Sequence, residues 1–111
     1  MLEALWLNQS LDVVNPGLLE QVLSCPEPRA RAAATRVLCY WRDRVDGPLE
    51  RLRKQVNDEH PRVRLEAVRA CSFFQTPQAA EVALESLNHP QDEFLKFTLD
   101  ETMKTLERFQ Q

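Results

Sequence analysis

Residues 58–70 read DEHPRVRLEAVRA, and residues 26–37 read PEPRARAAATRV. A shift of 33 positions lays Pro28 on Pro61, Arg29 on Arg62, Arg31 on Arg64, Ala34 on Ala67 and Arg36 on Arg69. The apolar residues repeat in the same way. Ala30, Ala34, Val37, Leu38 and Trp41 fall at spacings of 4, 3, 1 and 3, one face of an α-helix. The same shift turns them into Val63, Ala67, Ala70, Cys71 and Phe74, and a further 32 positions give Leu95, Leu99, Thr102, Met103 and Leu106. Self-similarity at this period marks a stack of helical units, none of which can bury its own apolar face alone.

Shorter helical patterns lie between these stripes. NPGLLEQVLSC (15–25) offers Leu18, Leu19, Val22 and Leu23; DGPLERLRKQVND (46–58) offers Leu49, Leu52 and Val56; TPQAAEVALESLN (76–88) offers Ala80, Ala83, Leu84 and Leu87. Each carries proline in or near its first turn, where the missing N–H has no helical partner to lose. Asn15, Asp46 and Thr76 stand at N-cap positions. The longer helices follow turns holding Pro28, Pro61 and Pro90. With the opening segment Leu2–Leu11, the pattern predicts seven helices, short and long alternating. The expectation is an all-α chain, a right-handed α-solenoid of about three and a half helix-pair units. It forms one domain over 1–111, with units near 1–14 (partial), 15–45, 46–75 and 76–111.

Composition agrees. At 43% hydrophobic residues the 111-residue chain can build a core, and only two glycines favour helix throughout. No run approaches the ~20 apolar residues needed to span a bilayer, so membrane insertion is not expected. MLEALWLNQSLD lacks the basic start and small-residue cleavage site of a signal peptide, and the sequence assigns no compartment. Cys25, Cys39 and Cys71 show no CxxC spacing. Cys39 and Cys71 read as small apolar helix residues and Cys25 as a turn residue.

The stretches DEHPRVRLEAVRA and PEPRARAAATRVL resemble HEAT-like repeats, whose intra-repeat turn ends in proline, a small or β-branched residue, arginine and spaced alanines. Arg31 and Arg64 hold the arginine position and Ala34 and Ala67 the close-packing alanines. HPQDEFLKFTLDET departs from this, with Lys96 for the arginine and Leu99 for the alanine, as a divergent terminal unit would. RAAATRVLCYWRDRV, NDEHPRVRLEAVRACSFF, AAEVALESLNHP and TLDETMKTLE are similar to the HEAT-repeat region of large planctomycete and verrucomicrobial proteins. Those proteins join a dehydrogenase-like propeller, HEAT repeats and a c-type cytochrome. That resemblance implies a standalone or excised segment of an exported parent, and it carries over no redox residue. Met1 opening directly in a second helix of a unit fits the same expectation.

The arginines admit two readings. Arg31 and Arg64, near helix starts, can reach carboxylates or carbonyls of a neighbouring turn (Asp58, Glu59, Glu27) and fix the register between units. Alternatively they form a ladder that meets phosphates, a role as open to the flanking Arg29 and Arg62. Residues 28–70 hold eleven basic against six acidic residues, a balance of +5, and the remainder three against eleven, −8. The overall charge of −3 lacks the strongly basic footprint of a nucleic-acid domain. His60 and His89 precede proline in equivalent turns and read as turn composition rather than metal ligands. Trp41 belongs to the core stripe and Tyr40 to the surface. Asp92–Glu93 and Asp100–Glu101 point to different sides of a helix, and no nucleophile stands beside a base.

The sequence therefore predicts a non-catalytic protein-interaction or spacer module with no cofactor and no metal. Its partner is another protein or the rest of a larger polypeptide. The alternatives are a nucleic-acid-binding domain using 28–70 and an accessory domain of a cytochrome-bearing redox enzyme. The candidate interaction surface comprises Leu2, Trp6, Arg29, Tyr40 and Arg62, and the apolar LEALWL predicts weak self-association through Leu2 and Trp6.

Overall fold

The computed structural model describes residues 16–74 and 76–107. Helices α1 (Pro16–Leu23), α2 (Pro28–Tyr40), α3 (Pro48–Val56), α4 (Pro61–Cys71) and α5 (Pro77–Leu84) are followed by a 3₁₀ turn (Glu85–Asn88) and α6 (Glu93–Glu107). No strand occurs among the described residues. The long helices α2, α4 and α6 stack side by side with α4 in the middle; α1, α3 and α5 each pack on the long helix that follows, and α3 also meets α5. This two-layer stack is an α-solenoid. The predicted helix over Leu2–Leu11 lies outside the described residues.

The repeated stripe is the core. Ala34, Val37, Leu38 and Trp41 on α2, Val63, Ala67, Ala70 and Cys71 on α4, and Leu95, Leu99 and Leu106 on α6 are all buried. Ala30, Phe74 and Met103 are half-buried at its margin. From the short layer come Leu19, Val22, Leu23, Leu52, Val56, Ala79, Ala80, Val82 and Ala83. Alanine at 34 and 67 lets α2 and α4 approach closely. Thr102, the polar member of the stripe, is buried because its hydroxyl donates to the Val68 carbonyl of α4 at 3.3 Å.

Two details differ from the sequence pattern. Leu84 and Leu87 were expected in the core, yet they are 43% and 57% exposed. From Glu85 the backbone tightens into the 3₁₀ turn, which advances ~120° per residue rather than ~100°. Leu87, inside this turn, is carried to solvent; Leu84 ends α5 on its exposed side, and Ala79 and Val82 fill the core alongside Ala80 and Ala83. The N-caps also move. Gly47, not Asp46, caps α3, in a left-handed conformation (φ 57°). Thr76 occupies the cap of α5 without bonding through its hydroxyl. Side-chain caps serve the long helices: Glu27 Oε1 accepts from Arg29 N at 3.1 Å, His60 Nδ1 from Arg62 N at 3.2 Å, and Asp92 Oδ1 from Leu95 N at 2.7 Å.

Candidate functional site

Arg31 and Arg64 are each the fourth residue of a long helix, beside the inter-unit turns, and both are buried. Arg31 Nε and Nη2 donate to Asp58 Oδ2 and Oδ1 at 2.9 and 3.0 Å, across the boundary to the next unit. Its Nη1 donates to the carbonyls of Cys25 and Pro26 at 2.9 and 3.1 Å. The Asp58 hydrogen bond holds the Arg31 guanidinium above its ordinary pKa. Arg64 repeats the device with carbonyls: Nη1 donates to Asp58 O at 2.7 Å, and Nη2 to Pro90 O in the following turn at 3.3 Å. These two arginines are register pins and are not available to a phosphate. Lys96 takes the position in α6 and is exposed, with no later turn to reach among the described residues.

Further polar contacts tie the units together. Buried Gln55 donates through Nε2 to Thr35 Oγ1 at 3.2 Å and Leu23 O at 3.4 Å, and Thr35 donates to Arg31 O at 2.8 Å. Arg53 Nε meets Glu85 Oε2 at 2.6 Å, and Arg51 pairs with Glu20. Asn57 donates to Arg53 O and Glu85 Oε1, so its carbonyl oxygen faces His89 Nε2 at 2.9 Å and accepts from it. The two histidines are thus a helix cap and a turn-to-turn contact. Among the described residues no group of three or more His, Cys, Asp or Glu stands close enough to hold a metal ion.

The long helices carry a broad exposed face. Exposed positions recur at the repeat period: Arg29, Arg62 and Phe94; Arg36, Arg69 and Glu101; and Tyr40 at the end of α2 with Phe73 just past the end of α4. Half-buried Leu65 lies between Ala32 and Phe97 in the same alignment. This outer face has two shallow features. Pro28, Arg29, Ala32, Ala33 and Arg36 of α2, with Glu27, His60 and Arg62, line a cleft of about 630 Å³. Arg69 and Ser72 of α4, with Phe97, Glu101 and Thr105 of α6, line a smaller one of about 180 Å³. Arg36 reaches the buried Glu66 carboxylate at 3.5 Å, and Arg42 covers the Phe73 ring at 5.4 Å from its centroid.

The structure therefore brings Arg29 and Arg62 to one cleft and sets Tyr40, 54% exposed, at the far end of α2 on the same layer. Leu2 and Trp6 lie outside the described residues. Sequence reasoning passed over Phe73, Phe94 and Phe97, which are 54%, 76% and 67% exposed. The signal was available in the repeat itself, since Phe94 and Phe97 align with Arg62 and Leu65 rather than with the core stripe.

The cysteines take no part in this face. Burial pushes the Cys71 thiol up to about 12, with a contribution from nearby Cys39. Burial also raises Cys39, against the lowering effect of Arg42.

Paired short and long helices, arginine-pinned turns and a side-chain surface without a catalytic cluster define an α-solenoid repeat protein. A family model for HEAT repeats matches residues 15–103, and the chain belongs to that family. HEAT repeats serve in general as scaffolds for protein interaction, and the family is in general non-enzymatic. No curated protein and no solved structure matches the chain.

Proposed function

We propose that this chain is a non-catalytic interaction or spacer module, built from units at 15–45, 46–75 and 76–111, that engages a protein partner through the outer face of its long helices. One observation carries the reading. The register arginines are consumed inside the stack, whereas Arg29, Arg62 and Phe94 recur at one exposed repeat position, and Tyr40 and Phe73 at another, on the face of the long helices. A solenoid offers its partner such a continuous surface rather than a pocket. The resemblance read from the sequence, to the repeat region of planctomycete dehydrogenase–cytochrome proteins, extends the proposal to a spacer role within a larger exported polypeptide.

The test is capture from a lysate of the source organism on immobilised wild type, on Arg29→Glu/Arg62→Glu, and on Gln78→Glu as an exposed control in the short-helix layer. A binding protein retained by wild type and control but lost from the double variant supports the reading. Equal retention on all three, or retention of nucleic acid alone, removes it.

A further inference from the structure

Eight of the ten arginines of residues 28–70 sort by face. Arg31, Arg36, Arg51 and Arg53 each meet a carboxylate, and Arg64 is committed to two carbonyls. Arg29, Arg62 and Arg69 are exposed and meet no carboxylate among the described residues. All three point from the outer face of α2 and α4. On the neighbouring α6 the equivalent face is aromatic, with Phe94 and Phe97 more exposed than any other large apolar residue among those described. The face is thus polarised, cationic across two helices and apolar on the third. Its occupant must be anionic along part of its length and apolar beyond. Surface apolar area on this scale is covered by a partner with matching side chains, and the cations select a partner of opposite sign.

Helix spacing sets the period of that occupant. Adjacent packed helices lie ~8–10 Å apart, and an extended chain advances ~3.3 Å per residue. A strand-like segment crossing the stack therefore moves from one helix to the next in about three residues. The repeat-equivalent row Arg29, Arg62, Phe94 then reads carboxylate, two residues, carboxylate, two residues, bulky apolar side chain. The next row, Ala32, Leu65, Phe97, lies one helical turn along and rises from a buried alanine to an exposed phenylalanine toward the same end.

Resting on the interaction reading above, we propose that the long-helix face binds an extended acidic polypeptide segment, with carboxylates about three residues apart and a bulky apolar residue about three further on. A duplex or single-stranded nucleic acid fits less well. Glu101 lies on the face and Arg36 is already paired with Glu66, so only three arginines remain for a run of phosphates.

The probe is the peptide Glu-Ser-Thr-Glu-Ser-Thr-Phe, acetylated and amidated, with the reversed sequence to cover the other chain direction. Amide-shift titration of the full chain reads weak binding and locates it. The proposal expects one of the two directions to bind, with shifts confined to α2, α4 and α6. Arg62→Glu should weaken affinity at least tenfold, Phe→Ser in the peptide should do so too, and raising salt should weaken it progressively. Unchanged thermal unfolding of Arg62→Glu shows that the variant folds. Absence of saturable binding in both directions overturns the proposal. So does equal affinity for the peptide with Lys at both Glu positions, tighter binding of an oligothymidylate, or shifts on α3 and α5. If lysate capture still depends on Arg29 and Arg62 when the peptides fail, the interaction reading stands and only this partner chemistry falls.

Discussion

Replacing Arg31 by Met keeps the aliphatic stem and removes the guanidinium. Four hydrogen bonds disappear: two to Asp58 at 2.9 and 3.0 Å, and one each to the Cys25 and Pro26 carbonyls. Asp58, whose side chain is 12% exposed, is left with the His60 N–H at 2.9 Å as its remaining partner. Breaking a buried pair from one side costs about 3–5 kcal/mol. The retained His60 bond places this case at the lower end, about 3 kcal/mol. With a urea slope of about 1.5 kcal/mol per molar, the unfolding midpoint falls by about 2 M. Arg62→Met, at an exposed position of the next unit, shifts stability by no more than about 0.5 kcal/mol. Adding Asp58→Asn to Arg31→Met recovers part of the loss, because no unpaired charge then remains buried. A loss below about 1 kcal/mol for Arg31→Met, or no recovery in the double variant, refutes the account of Arg31 as a register pin.

Three further outcomes follow from local geometry. Gly47→Ala loses about 1 kcal/mol in the same urea assay, because the space is open but the left-handed φ of 57° is strained for a residue with a Cβ. Asp92→Ala loses about 1 kcal/mol by removing the cap of α6, whereas Asp46→Ala is near neutral because Asp46 acts only through its carbonyl, which accepts from Arg51. Cys71 resists thiol reagents at pH 8 until the chain unfolds, while partly exposed Cys25 reacts at once. Since the folded state keeps the Cys71 proton up to about pH 12 and the unfolded thiol ionises near its ordinary 9, stability falls as pH rises through that window. Cys71→Ala removes that component of the pH dependence.

The helix stack was legible because its determinants are periodic. The 4-3-1-3 stripe, the prolines at helix starts and the arginine three positions after Pro28 and Pro61 are each enforced once per unit by the same packing, so two copies suffice to expose the rule. Arg31 and Arg64 could be read as register pins because their targets, the inter-unit turns, recur with them. What escaped the sequence was aperiodic. A 3₁₀ turn at Glu85–Asn88 carries no residue that announces it, and it turns Leu87 to solvent. Gly47 took the cap from Asp46 because a left-handed residue before Pro48 sets the chain direction without a side-chain bond. The cap of α4 by His60 depends on an imidazole orientation that spacing does not encode. On the candidate surface, Arg29, Tyr40 and Arg62 were found from charge and position. Phe94 and Phe97 were missed because an apolar residue in a helix reads as core until its repeat-equivalents, Arg62 and Leu65, are seen at the surface.

Site-directed photo-crosslinking tests the central claim most directly. Benzoylphenylalanine in place of Leu65, Phe73 or Phe97 samples the outer face of the long helices, and in place of Glu50 or Glu81 it samples the exposed short-helix layer. Irradiation with the natural partner is predicted to give a covalent adduct from the three long-helix positions and none from the two short-helix positions. Adducts from Glu50 and Glu81, with none from Leu65, Phe73 or Phe97, would contradict the account.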